Sequence, residues 1–149
     1  MKKLNEARTL ENVCRDVREV GQISEDHTAQ LSATFGQRLT KALEALNERR
    51  IKKYVFQPSG RIVWIVVGKQ RDYLVMPDAD YCSCSDFYFL FHRGHVCYHI
   101  IAQKLAEATG QFDLFEDDDG FFNILIKEWK APEEKTPKKG AVQSEEDIP

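Results

Sequence analysis

The 149 residues are 42% apolar and 30% charged, the balance of a globular chain long enough to bury a real core. No apolar run approaches the ~18 residues of a membrane span, and residues 1–20 hold neither an apolar signal core nor a small-residue cleavage site, so the expectation is a cytoplasmic chain whose cysteines stay reduced. The net charge of −3 is unevenly spread: residues 1–79 sum to +4 and residues 80–149 to −7.

In chain order, Leu4, Ala7, Leu10, Cys14, Val17 and Val20 recur at helical spacing before Gly21, which predicts an amphipathic helix over about residues 5–20. Cys14 lies on that apolar stripe and reads as a small buried hydrophobe. A second helix is expected from Ser24 or Asp26, with Leu31, Phe35, Leu39, Ala42, Leu43 and Leu46 on its buried face. The two make an N-terminal helical hairpin over residues 1–50. From Ile51 the period changes to that of strands. Residues 54–56 and 61–67 flank a Gln57-Pro58-Ser59-Gly60 turn, and Tyr73 to Met76 follow a second turn. The run Ile62 to Val67 is apolar on both faces, as in a central strand covered on each side. The segment Phe87 to Phe91 reads as a short helical turn capped by Asp86. A helical pattern covers Val96 to Ala108 before Gly110. Phe121, Phe122, Leu125, Ile126 and Trp129 mark a last helix within 111–131, and residues 132–149 have the composition of a disordered tail. The fold class expected is α+β, with a small three-stranded antiparallel sheet.

Cys82-Ser83-Cys84, twelve residues and then Cys97-Tyr98-His99 carry the chemistry. Alternation puts the two sulfurs of a Cys-x-Cys on one side of an extended segment, and a helix start favours thiolate over thiol. Together they supply the Cys3His donors of a tetrahedral zinc site. His92 and His95 compete with His99 for the fourth position on spacing, and His99, in the first turn of a helix, is the better anchored. Nine bases against two acids within residues 38–71 form a candidate footprint for nucleic acid or an acidic partner, or else a solvated face and a charged strand edge. Arg49, Arg50, Lys52, Lys53, Arg61, Lys69 and Arg71 are the candidate phosphate contacts. Tyr54, Phe87 and Tyr88 could serve as stacking platforms, although core packing suits each of them better. The His-x-Glu and Pro-Cys-x-x-Cys signatures of zinc deaminases are absent. The acidic run Glu116 to Asp119 fails as a calcium loop, because aligning Gly120 with the loop glycine puts Phe115 and Ile126 at the key acidic positions. It reads instead as an N-terminal cap for the last helix.

The pattern Cys82-x-Cys84…Cys97-x-His99, preceded by Trp64-Ile65-Val66-Val67-Gly68 and Tyr73-Leu74-Val75, resembles the SWIM zinc-finger family over about residues 54–109. The continuation to Ala102 fits the extended Cys-x-His-x-x-Ala form of archaeal and Shu-complex-type members. That resemblance implies a SWIM-like module over residues 51–110 whose zinc is structural and whose chain is not an enzyme. It also implies a RecA-family recombinase paralogue as partner, with single-stranded DNA nearby, in recombination or repair. The rival expectation is a protein-binding adaptor of transcription or translation machinery, favoured by net acidity and the aromatic last helix.

Overall fold

The computed structural model describes residues 2–79, 81–84 and 95–130. The expectations for Phe87 to Phe91, His92 and the 132–149 tail lie outside the described residues.

Helix α1 spans Lys2–Val20 and ends where Gly21, at φ 93°, returns its N–H to the Val17 carbonyl. Its buried stripe is Glu6, Leu10, Val13, Cys14 and Val17, while Ala7 and Val20 are exposed. Among the side chains described, the inward face thus takes in Glu6 and Val13 in place of Ala7 and Val20. Burial pushes the Cys14 thiol up to about 11, consistent with a packing residue.

The expected second helix is two. Helix α2 (Glu25–Phe35) and helix α3 (Gln37–Asn47) meet at Gly36, whose φ of 60° and ψ of −129° no helix accommodates. The apolar periodicity runs on across the break, because Phe35 and Leu39 still face one core. Glycine supplies the corner and the stripe conceals it. Ser24 caps α2 in a capping box in which His27 stands in for the usual Glu: the Ser24 N–H reaches His27 Nδ1 at 3.0 Å and the His27 N–H reaches Ser24 Oγ at 3.2 Å.

Strands β1 (Ile51–Gln57), β2 (Arg61–Val67) and β3 (Asp72–Met76) form the expected antiparallel meander, extended by a two-residue β4 (Tyr81–Cys82). Helix α4 (Tyr98–Thr109) stops at Gly110, which is left-handed at φ 79°. It carries the chain to β5 (Asp113–Asp118), which runs parallel to β1. Helix α5 (Phe122–Trp129) closes the described chain. The sheet is therefore five-stranded and mixed, in the order β4-β3-β2-β1-β5, rather than three-stranded.

The alternating side chains of β2, the central strand, divide between two cores. Trp64 and Val66 join the cluster built by α1 to α4, while Val63 and Ile65 join Leu74, Phe56 and Trp129 beneath α5. No helix of the described residues is long and apolar enough to cross a membrane. Gly68 starts the β2–β3 turn, where a Cβ would lie 2.7 Å from the Arg71 carbonyl oxygen and 2.8 Å from the Tyr73 ring. Gly68→Ala is expected to cost about 1–3 kcal/mol in urea unfolding. An unchanged midpoint would mean the turn has room to relax.

Candidate metal centre

The site stands where the sheet edge meets the start of α4. β4 pairs Cys82 with Val75, and Ser83 then fastens the segment twice to Leu74: its N–H donates to the Leu74 carbonyl at 2.9 Å, and its Oγ accepts the Leu74 N–H at 2.9 Å. The middle residue of the Cys-x-Cys thus completes the β3 ladder where strand pairing ends, and Cys84 follows into the cluster. Cys97 is the N-cap of α4. Its side chain makes no capping hydrogen bond, which leaves the sulfur available as a ligand. His99 lies in the first turn, fully buried, with ring centroids of Tyr73 at 4.2 Å and Tyr98 at 4.0 Å.

The donor atoms of Cys82, Cys84, Cys97 and His99 all lie within 4.8 Å of one another. A tetrahedral zinc with bonds of about 2.0–2.3 Å draws its ligand atoms to roughly 3.5–4 Å, so only a slight contraction closes the cage. Neither buried nitrogen of His99 finds a hydrogen-bond partner of ordinary geometry. An orphaned imidazole would be costly in a packed core, and a metal taking one nitrogen removes much of that cost. The thiols are already divided in character. Burial and the neighbouring sulfurs push Cys82 well above the ordinary thiol value, whereas hydrogen bonds from Cys82 and Cys84 hold Cys97 well below it. Soft thiolates with one imidazole select zinc among the common divalent ions. The residues fit the ion: all four would hold it, leaving no ligand position for substrate or water.

Of the rivals for the fourth ligand, His95 is directed elsewhere. Its Nδ1 lies 3.0 Å from Glu6 Oε2, within a network the sequence does not reveal. Arg38 forks onto Glu6 at 3.0 and 2.9 Å and donates to the Val96 carbonyl at 2.7 Å. The Val96 N–H donates to Glu6 Oε1 at 2.9 Å. Both main-chain groups of the residue preceding Cys97 are therefore held by one ion pair between α1 and α3. Arg38, which the apolar stripe of the helix does not include, is an inward-facing anchor. Burial alone would raise the Glu6 pKa, but the bonds from Arg38, His95 and Val96 outweigh it and leave it below the ordinary 4.5.

Most of the candidate phosphate contacts have partners within the molecule. Arg49 and Lys52 both pair with Asp113 at 2.7 Å and lower its pKa. Arg50 pairs with Glu48 at 3.0 Å and donates to the Val67 carbonyl. Lys53 lies over the Trp64 and Phe112 rings, and Arg61 over Phe122 at 3.8 Å. Arg71 donates to the Trp129 carbonyl. Lys69 is exposed in the β2–β3 turn and has no ion pair among the described residues. Tyr54 stacks on Phe115 at 5.2 Å and meets Trp129 at 5.2 Å, and so serves the core beneath α5.

A buried, four-ligand Cys3His set joining a strand end to a helix start defines a structural zinc finger, and its cofactor is zinc. A zinc finger SWIM domain-containing protein 7 homolog of Dictyostelium discoideum is 34% identical over 119 residues, which cover 77% of this chain and 76% of the relative. An uncharacterised protein of Archaeoglobus fulgidus is 34% identical over 86 residues, 58% of this chain and 68% of its own length. No family model and no solved structure matches the chain. The chain belongs to the SWIM zinc-finger family.

Two outcomes follow from this geometry. His99→Ala and Cys84→Ser should each lower zinc content at least about tenfold, while His95→Ala keeps it. Zinc measured by plasma mass spectrometry on purified variants decides this, and loss in the His95 variant would move the fourth ligand. Because bound ligands must be free of protons, zinc release should ease as pH falls.

The Glu6 pair gives the second outcome. Its folded pKa is depressed, so its stabilisation is fully present above about pH 4.5 and is lost as pH falls through the lowered folded value. Glu6→Gln should cost about 3 kcal/mol in urea at pH 7, a difference that narrows in acid. A constant difference down to low pH would remove the ionised carboxylate from the account.

Proposed function

We infer that this chain is a zinc-stabilised, non-catalytic interaction module serving as an accessory factor of a RecA-like recombinase in DNA recombination or repair. The observation that carries the first half is the closed cluster: four buried protein ligands within 4.8 Å leave no position for a reacting water or substrate. Zinc in such a site fixes surfaces and does not perform chemistry. The second half rests on the Cys97-x-His99-x-x-Ala102 sequence of the Shu-type resemblance. Ala102 is fully buried in α4, where a small side chain suits close packing of the helix.

The engagement of the bases bears on how the partner is met. Arg49, Arg50, Lys52 and Arg61 are each matched by a carboxylate of this chain, which leaves Lys53 and Lys69 as the better candidates for direct DNA contact. This favours contact mainly through protein, and it is also what supports the alternative of an adaptor for transcription or translation machinery. Copurification with a tag on the full chain separates the two: a RecA-family ATPase selects the first, and ribosomal or polymerase subunits in its place would sink it. Direct DNA contact predicts salt-dependent anisotropy with a labelled single strand, weakened about tenfold by Lys53→Ala with Lys69→Ala. Affinity unchanged by the pair would leave the protein-mediated version alone.

A further inference from the structure

We propose that the outer edge of β5 is a docking strand for an extended, basic segment of a partner protein, taken up by strand addition to the sheet. It goes beyond the proposed function and stands or falls independently of which machinery the partner belongs to.

β5 pairs with β1 on one side only and ends the sheet order. Every second residue of such a strand turns its N–H and C=O outward, and no main-chain bond beyond the β1 pairing meets them among the described residues, although the Asp118 N–H at the strand's end donates to Asp117 Oδ1 at 2.9 Å. Edges of this kind template strand addition unless something blocks them. Here no proline or bulge interrupts Asp113 to Asp118, and Leu114 and Phe115 are 58% and 42% exposed. Being consecutive, they project to opposite faces of the strand, so an added strand would meet an apolar side chain on either face. Phe115 is held from behind by Tyr54 at 5.2 Å, which presents the ring with little freedom to lose on binding.

Charge identifies the occupant. Asp113 is neutralised by Arg49 and Lys52, and Asp119, just past the strand, is engaged by Ser59 and Arg61. Glu116, Asp117 and Asp118 between them make no ion pair among the described residues. Two copies of this edge would bring these carboxylates together in any close register, which opposes self-pairing. A strand alternating lysine or arginine with aliphatic residues would instead satisfy the backbone, the apolar pair and the carboxylates together.

The test uses the full zinc-loaded chain and a fluorescent octapeptide of alternating lysine and isoleucine. Saturable binding in the micromolar range, weakening with salt, is expected. Hydrogen exchange should slow about tenfold at alternate amides of β5 and not across β1 as a whole. E116K with D117K, both side chains lacking ion pairs, should weaken binding at least about tenfold without lowering the melting temperature. Of two peptides N-methylated at complementary alternate positions, one should lose binding and the other keep it, since a strand pairs through one edge. No saturation by about 1 mM peptide, equal behaviour of the two N-methylated forms, or association of the chain with itself through this edge in sedimentation would each overturn the proposal.

Discussion

The helical side of this protein depends on how α4 begins. That helix lies against α1, α3 and the sheet, and its Ile101, Ala102, Leu105 and Ala106 are fully buried at the centre of the larger core. Its first turn, however, has no side-chain cap, and the strand that it must meet is two residues long. Neither element could fix the other through strand pairing or capping alone. Cys97 at the N-cap and His99 in the first turn, facing Cys82 and Cys84, replace that deficit with metal bonds. Zinc uptake and the seating of α4 are therefore one event, since the ligand atoms come together only when strand and helix already do.

A second tie reaches the same point from the other side. Glu6 and Arg38 close on Val96 from two different helices, fixing the direction from which the chain enters Cys97. A buried carboxylate is a costly way to hold a loop, and hydrophobic substitution often matches such a pair in stability. What an ion pair provides and a methyl group does not is direction: one donor and one acceptor of a single peptide residue are satisfied together. The metal fixes distance and the pair fixes orientation, and the helices of the N-terminal half are tied to the centre by the latter.

Much of this was legible in the sequence because its signals are local. The ligands sit in a short window at diagnostic spacing, the meander is announced by Gly60 and Gly68, and α4 is bounded by Gly110. The rest was not legible, for identifiable reasons. Gly36 breaks a helix without breaking its apolar period, so the stripe through Phe35 and Leu39 reads as one element. β5 is mostly Asp and Glu, residues with poor strand propensity, and it forms because Lys52, Arg49, Tyr54 and Ser59 wait for it on other elements. Ser83 carries no local signal inside the Cys-x-Cys, since its bonds to Leu74 exist only once β3 is beside it. Glu6 and His95 are 89 residues apart, and no periodicity connects them.

The same long-range pairing recasts the charge asymmetry of the chain. The basic stretch within residues 38–71 reads either as a footprint for nucleic acid or an acidic partner, or as a solvated face and a charged strand edge. In the fold, part of that stretch is the complement of the acidic strand beside it: β1 supplies Lys52, the turn before it Arg49, and the turn after it Ser59, all of which close on the two ends of β5. The bases at those ends are used within the molecule, whereas Glu116, Asp117 and Asp118 make no ion pair among the described residues. Along β5, then, part of the basic stretch supplies counter-charge to the ends of an acidic strand, a pairing that the linear order of the charges does not display.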